Sequence, residues 1–183
     1  METTANPQER YTRMAILLHW GMTAIIFGLI GVGFYMSNLP PSPQKYALYD
    51  LHKSFGVLVV LLLAVRLVWR AAHTPPELPA AYSPLLRNAS HLGHLLLYVL
   101  MFAVPVSGWV MSAAGGRPAS LFGLSIPPPV EKSEHLAGLW GDIHFTLAAA
   151  FVLLIIGHTL FALKHHFIDK DGLLRRMWGG LLP

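Results

Sequence analysis

The sequence predicts an all-α integral membrane protein, a bundle of four transmembrane helices. Of its 183 residues, 54% are hydrophobic and only 12% are charged, whereas a soluble domain carries about 25% charged residues. The mean hydropathy is +0.52. Four apolar stretches each approach the roughly 20 residues that one crossing of a bilayer requires. Because the length fits one domain, we predict a single multi-pass membrane domain over residues 1–183.

The first two predicted helices differ in the length of their apolar runs, and so in how clearly each is predicted to span the membrane. Met14–Met36 has 23 residues, and it contains no Asp, Glu, Lys or Arg and one histidine, His19. This run exceeds the apolar region of a secretory signal, about 7 to 15 residues, so we expect it to be retained. After a proline-rich loop, the second predicted helix is Tyr49–Arg70. Its uninterrupted apolar core, Phe55–Val65, has only 11 residues, so its flanking cations must lie near the interfaces or face the protein interior.

Prolines and glycines mark the connections around the last two predicted helices. The stretch Ala72–Ser90 contains four prolines, a composition that predicts a surface connection without helix. The third predicted helix, Ser90–Ala114, contains Pro105, where we expect a kink. After a loop with three consecutive prolines, the fourth predicted helix is Leu136–His166, which is long enough to protrude from the bilayer.

The distribution of lysine and arginine predicts the orientation of the bundle. Nine of these residues lie in or near the two terminal segments and the second connection, and four lie in or near the other two connections. Because basic residues favour the cytoplasmic side, both termini are predicted to be cytoplasmic. The net charge of +4 is mostly this topology signal. No basic stripe with interleaved aromatic residues indicates a nucleic-acid partner.

The chain has no cysteine and ten histidines. The absence of cysteine excludes disulfides, iron–sulfur clusters, thiolate zinc sites, covalently attached haem and thiol nucleophiles. Any metal must therefore be held by histidine or carboxylate. Ionisable residues inside apolar helices are costly unless they are paired or coordinated, so the histidines are the first candidates for function.

Four histidines lie inside the predicted helices at matching depths. His144 and His158 are 14 residues apart, which places them near one face of the fourth helix and roughly 21 Å apart along its axis. His52, near the outer end of the second helix, matches the depth of His144. His19, near the inner end of the first helix, matches His158. Two imidazole pairs at two depths predict two b-type haems, one ligated by each pair.

Other polar residues leave alternatives open at the inner depth. His94 lies near the start of the third predicted helix, on that side, and could replace His19 as a ligand. It could instead bind a propionate or a quinone, or lie at the membrane interface. Arg66 could neutralise a propionate of the inner haem, or could extend to the interface as a snorkelling arginine. His165 could bind a quinone carbonyl or deliver protons, or could lie at an ordinary polar helix end.

Five stretches together resemble the prokaryotic cytochrome b561 family. They cover all four helices and the C-terminal tail, and they read LLHWGM, LHKSFGVLVVLLLAVRLVWR, HLGHLLLYVLMFAVPVSGWVM, DIHFTLA and GHTLFALKHHFIDKDGLLRRM. The resemblance implies a four-helix membrane cytochrome with two b haems. It also implies that the axial ligands are His19 with His158 and His52 with His144, which selects His19 over His94.

The resemblance further implies transmembrane electron transfer. With both axial positions filled by histidine, the iron has no open site for dioxygen. One enzyme of this family, a superoxide oxidase, oxidises superoxide at the periplasmic face and reduces ubiquinone, and the likeness implies the same reaction here. Lys53, next to His52, is the candidate cation for attracting superoxide, although a snorkelling role explains it equally well. The outer side carries four basic and four acidic residues, so its formal charge does not indicate an electropositive funnel.

Two other functions stay open at this stage. The chain could be an electron-transfer subunit that docks a dehydrogenase or a periplasmic redox protein, with its outer proline-rich loops at the contact. It could also be a haem-free transporter that uses membrane histidines for a metal ion or protons. The first and third predicted helices contain no aspartate or glutamate, which disfavours the transporter.

Overall fold

Four long helices form the protein in a computed structural model that describes residues 10–78 and 82–178. They are α1 (Arg13–Ser37), α2 (Pro43–Ala72), α3 (Pro84–Ala114) and α4 (Glu134–Lys164). Each is long and apolar enough to cross a membrane. The predicted fold class, a helical protein with four membrane spans, is confirmed. The side of the membrane on which the termini lie stays a prediction.

Each long helix begins after a serine or threonine whose side-chain oxygen accepts a hydrogen bond from a backbone N–H three residues later. These N-caps are Thr12, Ser42, Ser83 and Ser133. Two helices consequently start about one and a half turns earlier than predicted, α2 at Pro43 and α3 at Pro84. The prediction of a helix-free stretch up to Ser90 is wrong from Pro84 onward. Proline is favoured in the first helical turn, where its missing N–H removes no hydrogen bond.

The chain turns back on the bundle after α4. This helix ends at Lys164, and a π-helical turn, His165–Asp169, continues it. Lys170 then adopts the left-handed conformation with φ of 54°, which terminates the helix. The short helix α5 (Leu173–Trp178) follows. The indole N–H of Trp20 donates to the carbonyl of Met177 at 2.8 Å, so both terminal segments lie at one end of the bundle, which we call the termini end.

The opposite end carries a two-stranded antiparallel hairpin that the sequence did not predict. Its strands are β1 (Ser120–Leu121) and β2 (Leu124–Ser125), in the connection between α3 and α4. The buried hydroxyl of Ser54 in α2 lies 2.9 Å from the carbonyl oxygen of Ser120 and accepts from the N–H of Phe122 at 3.1 Å. This side chain therefore ties the hairpin to the bundle. We call this the hairpin end.

The core lies midway between these ends and is small. It consists of Met22 and Ile26 from α1, Val59 and Leu63 from α2, and Phe151 from α4. Many other large apolar side chains face outward, among them Phe34, which is 77% exposed. Helices that are apolar on all sides are typical of membrane spans, since lipid rather than water contacts the outer faces. The bundle is thus held together between two polar ends where the histidines lie.

Candidate cofactor sites at the two ends of the bundle

The rings of His52 in α2 and His144 in α4 each lie against a glycine of another helix at the hairpin end. A Cβ added to Gly33 of α1 would come within 3.3 Å of Cε1 of His52. A Cβ added to Gly108 of α3 would come within 3.0 Å of Cε1 of His144. Glycine permits this close approach because it has no side chain. The two histidines are near enough for their charges to interact, so the structure brings this predicted pair together.

The hydrogen bonds of His144 suit a metal ligand. Its Nδ1 lies 2.9 Å from the carbonyl oxygen of Val104 and 3.1 Å from the hydroxyl of Ser107. A carbonyl only accepts, so we assign the ring proton to Nδ1. The lone pair then resides on Nε2, the atom that an iron-ligating imidazole uses, and the Nδ1 bond orients the ring.

His52 lacks such a partner. Among the described residues, nothing forms a hydrogen bond with its buried Nδ1, although buried polar atoms normally have partners. An unpartnered imidazole facing a second histidine, with glycines in place of larger side chains, fits a cofactor that binds between the two rings. The residues at the hairpin end therefore fit a bis-histidine haem.

Three histidines gather at the termini end. The ring centroids of His94 in α3 and His158 in α4 are 5.6 Å apart, with an interplanar angle of 65°. His19 of α1 is close enough to interact electrostatically with both. This group contains one more imidazole than a bis-histidine haem requires. The structure thus gathers the predicted pair His19 and His158 together with the alternative ligand His94.

Arg66 of α2 joins this group rather than extending to the interface. Its Nε donates to the hydroxyl of Tyr98 at 3.1 Å, and its Nη2 lies 3.3 Å from Nδ1 of His19. Guanidinium groups only donate, so Nδ1 of His19 accepts and the ring proton lies on Nε2 in this arrangement. Ligation of iron through Nε2 therefore requires the proton to leave that atom.

Lys53 lies beside His52 at the hairpin end but is already paired. Its Nζ is 2.9 Å from a carboxylate oxygen of Asp50 and 3.2 Å from the carbonyl oxygen of Pro118. The lysine side chain is 13% exposed. The cation expected to attract an anion is thus neutralised locally and largely covered, and its role stays a prediction.

His165 is buried in a polar network, so an ordinary wet helix end does not describe it. Only 3% of the residue is exposed. Its Nδ1 lies 2.7 Å from the hydroxyl of Tyr82, 3.0 Å from Asp169 and in contact with Asp171. Its Nε2 has no hydrogen-bond partner among the described residues. The ring is therefore held from one side while its other nitrogen stays available.

Neither Tyr82 nor Asp171 could be recognised from the sequence as a partner of His165. Tyr82 is 83 residues from His165, and no pattern in the sequence links them. Burial raises the pKa of Tyr82, and the hydrogen bond and charge of Asp171 raise it further. Burial alone raises the pKa of Asp171 too, but hydrogen bonds from Tyr82, the N–H of Leu173 and His165 outweigh burial and hold it below 3.8. The phenol thus stays protonated while the carboxylate stays ionised.

Comparison with known proteins supports the resemblance seen in the sequence. The family described as prokaryotic cytochrome b561 matches residues 10–180. The chain is 40% identical over 176 residues to cytochrome b561 homolog 2 of Escherichia coli (strain K12), covering 95% of this chain and 94% of that protein. It is 25% identical over 169 residues to the probable superoxide oxidase CybB of Yersinia pestis, covering 92% and 96%. The chain therefore belongs to the prokaryotic cytochrome b561 family and is a membrane protein that transfers electrons through haem b.

Proposed function

We propose that this chain holds two b-type haems and oxidises superoxide at one face of a bacterial inner membrane while reducing ubiquinone near the other. The observation that carries the proposal is the division of the membrane histidines into two groups at opposite ends of the bundle. When bound, a haem with two histidine ligands accepts and donates single electrons and offers no open iron site to dioxygen. With both termini in the cytoplasm, as the basic residues predict, the hairpin end faces the periplasm.

At the hairpin end, His52 and His144 would ligate one haem. The carbonyl of Val104 orients the His144 ring, while Gly33 and Gly108 leave the space that the two rings occupy. His52 and His144 belong to different helices, so closure of this site depends on how α2 and α4 pack. His52→Ala or His144→Ala should remove the haem at this end and leave the haem at the other end.

At the termini end, we propose His19 and His158 as the ligands and His94 as their neighbour. The family resemblance selects His19 as the ligand. The packing of His94 against His158 supports the alternative, in which His94 replaces His19. The test is haem per chain and the reduced absorption spectrum of His19→Ala and His94→Ala. We expect His19→Ala to lose one haem and His94→Ala to keep both. If only His94→Ala empties the site, His94 is the ligand.

Arg66 is our candidate partner for a propionate of the haem at the termini end. It is the cation that lies against His19, and its second contact, Tyr98, would keep the guanidinium near the ring after a carboxylate replaces His19 as its partner. Arg66→Gln should shift the reduction potential of that haem and leave the haem at the hairpin end unchanged.

The proposed reaction converts two superoxide ions, one ubiquinone and two protons into two dioxygen molecules and one ubiquinol. His165 is the candidate for the quinone carbonyl or for proton delivery, since its Nε2 is buried and unpartnered while Asp171 and Tyr82 hold Nδ1. An imidazole that carries its proton on Nδ1 presents an acceptor at Nε2. It binds a quinone carbonyl only after gaining a proton there, so His165 would couple quinone binding to proton uptake.

The test supplies a steady flux of enzymatically generated superoxide to the purified holoprotein and follows reduction of a short-chain ubiquinone. We expect ubiquinol formation that superoxide dismutase abolishes. His165→Ala should lower ubiquinol formation with both haems retained, and His166→Ala is the control next to it. Absence of ubiquinol formation in a preparation with full haem content would refute the superoxide activity.

A second candidate function is an electron-transfer subunit for a dehydrogenase or a periplasmic redox protein. The ion pair between Lys53 and Asp50 favours it, because a neutralised cation attracts a small anion weakly. Lys53→Met separates the two. If superoxide is the substrate and Lys53 attracts it, the variant should reduce ubiquinone more slowly, and the difference should shrink at high salt.

A further inference from the structure

A cavity at the termini end lies between the beginning of α1, the last two turns of α2 and the connection that follows α2. About 490 Å³ of empty space lies between its lining atoms, a figure that includes open solvent at its mouth. Its walls include Arg10, Arg66 and Arg70, and no aspartate or glutamate is among the described residues that line it. The cavity is therefore cationic and separate from the polar network around His165.

Among the described residues, no carboxylate forms a salt bridge with the cations of this cavity. Arg66 and Arg70 are four residues apart on α2, so they lie on one helix face, where like charges repel. Both guanidinium groups lie over the ring of Tyr98, at 5.8 and 5.9 Å from its centroid. Within residues 10–78 and 82–178, neither arginine forms a salt bridge with a carboxylate. An oxyanion in the cavity would relieve the repulsion between them.

The walls of the cavity combine apolar surface with polar groups, as the binding of an amphiphile requires. Ala15, Leu18 and Met177 contribute apolar surface, while Tyr11 contributes a hydroxyl and Trp69 an indole. Burial raises the pKa of Tyr11 and outweighs the opposing effect of Arg70, so the phenol stays protonated and can donate to an oxyanion. The cavity therefore offers both hydrogen-bond donors and apolar contacts, although the indole N–H of Trp69 already donates to Thr12.

The depth of the cavity matches the headgroup layer of a membrane. Arg70 lies in the last turn of α2, and Arg10 precedes α1, so both are where the spans leave the hydrocarbon region. Aromatic side chains such as those of Tyr11 and Trp69 are enriched at this level. Basic pockets between transmembrane helices are suited to acidic lipid headgroups.

We propose that this cavity binds the phosphate group of an acidic phospholipid, with Arg70 and Arg10 as the cationic contacts. A haem propionate is the other membrane oxyanion within reach of this end. We assign that propionate to Arg66, which contacts His19 and Tyr98, whereas Arg70 lies about 6 Å farther along the α2 axis, away from the bundle centre, and is assigned to the lipid phosphate. The assignment to a lipid does not depend on the superoxide activity.

The test uses the haem-loaded protein in a neutral detergent, titrated with short-chain phosphatidylglycerol, short-chain phosphatidylcholine or inorganic phosphate. Thermal unfolding and native mass spectrometry report binding. We expect phosphatidylglycerol alone to raise the unfolding temperature and to remain bound. Arg70→Gln and Arg10→Gln should each weaken this binding about fivefold, since one arginine contributes about 1 kcal/mol. Arg175→Gln, at the same end but outside the cavity, should bind like the unmodified protein.

Three results would overturn the proposal. One is equal stabilisation by phosphatidylcholine, which would show that the acidic group is not recognised. Another is equal stabilisation by inorganic phosphate at the same concentration, which would assign the site to a soluble anion. The third is loss of haem or a shifted reduction potential in Arg70→Gln with lipid binding unchanged, which would assign the cavity to a propionate. Arg10→Gln repeats the binding measurement if Arg70→Gln fails to fold.

Discussion

Gly108→Ala would test the contact between α3 and the His144 ring. The new Cβ would lie 3.0 Å from Cε1 and 3.1 Å from Nδ1 of His144, whereas ordinary contact begins at 3.4 Å. The ring or α3 must therefore yield by about 0.4 Å to restore that separation. The displacement falls on the same nitrogen that lies 2.9 Å from the carbonyl of Val104, so the orientation of the ring changes as well.

The cost of the substitution follows from two opposing contributions. Forcing an extra methyl group into a packed site costs about 1–3 kcal/mol, and alanine regains about 0.5–1 kcal/mol because it favours a helix more than glycine does. The packing cost falls on the imidazole, whereas the helix gain is the same with and without haem, so haem at the hairpin end should bind about 5- to 150-fold more weakly. Gly93→Ala is the matched control on α3, since its Cβ would meet nothing within 4 Å.

The assay compares both variants after identical purification. Haem per chain from the pyridine haemochrome spectrum reports occupancy, and transfer of haem to apomyoglobin reports its rate of loss. Gly108→Ala should lose one haem faster than the unmodified protein, while Gly93→Ala should keep both and unfold at a slightly higher temperature. Equal haem retention in the two variants would refute the assignment of His144 as a ligand whose position depends on this glycine.

Four further substitutions, one of them a control, probe other parts of the molecule. Gly33→Ala brings a Cβ to 3.3 Å from the ring of His52, so it should accelerate haem loss less than Gly108→Ala does. Gly31→Ala is the control. Its Cβ meets nothing within 4 Å, so the haem absorption spectrum should not change. Ser54→Ala should lower the free energy of unfolding by about 1 kcal/mol, measured by denaturation in detergent, because partly buried backbone groups of the hairpin lose their partner. Asp171 has a folded-state pKa below its usual 3.8, so its stabilising effect is present above that pH and is lost as the pH falls through the folded value. Asp171→Asn should therefore reduce the decline in unfolding temperature between about pH 5 and pH 2, and a decline equal to that of the unmodified protein would contradict the account of its hydrogen bonds.

The four spans could be predicted from the sequence because apolar runs of this length have few alternatives. The starts of two helices were wrong although the sequence contains their signals. Ser42 before Pro43 and Ser83 before Pro84 are an N-cap followed by a favoured first residue. These helix-start signals are missed when every proline is interpreted only as a helix breaker. Proline has opposite meanings at the start and in the middle of a helix.

The grouping of the histidines could be predicted from their depth along the helices. The residues that surround their rings could not. Depth along a helix can be counted in residues, and the structure gathers His52 with His144 at one end. The glycines that face these rings could not be identified, because the rotation of each helix depends on its neighbours. Gly33 faces a ring and Gly31 does not, yet nothing in their sequence context separates them. The contact of Tyr82 with His165 depends on tertiary structure in the same way.

The arrangement at the hairpin end also constrains how the mature protein can be made. Two spans contribute imidazoles and the other two contribute the bare backbone surfaces against which those imidazoles lie. A nascent chain with only its first three spans in the membrane lacks His144. It therefore cannot complete the site at the hairpin end. If His52 and His144 hold a haem, as proposed, haem binding at this end must therefore follow translation and membrane integration of the final span, and haem at this position would indicate a completely inserted chain.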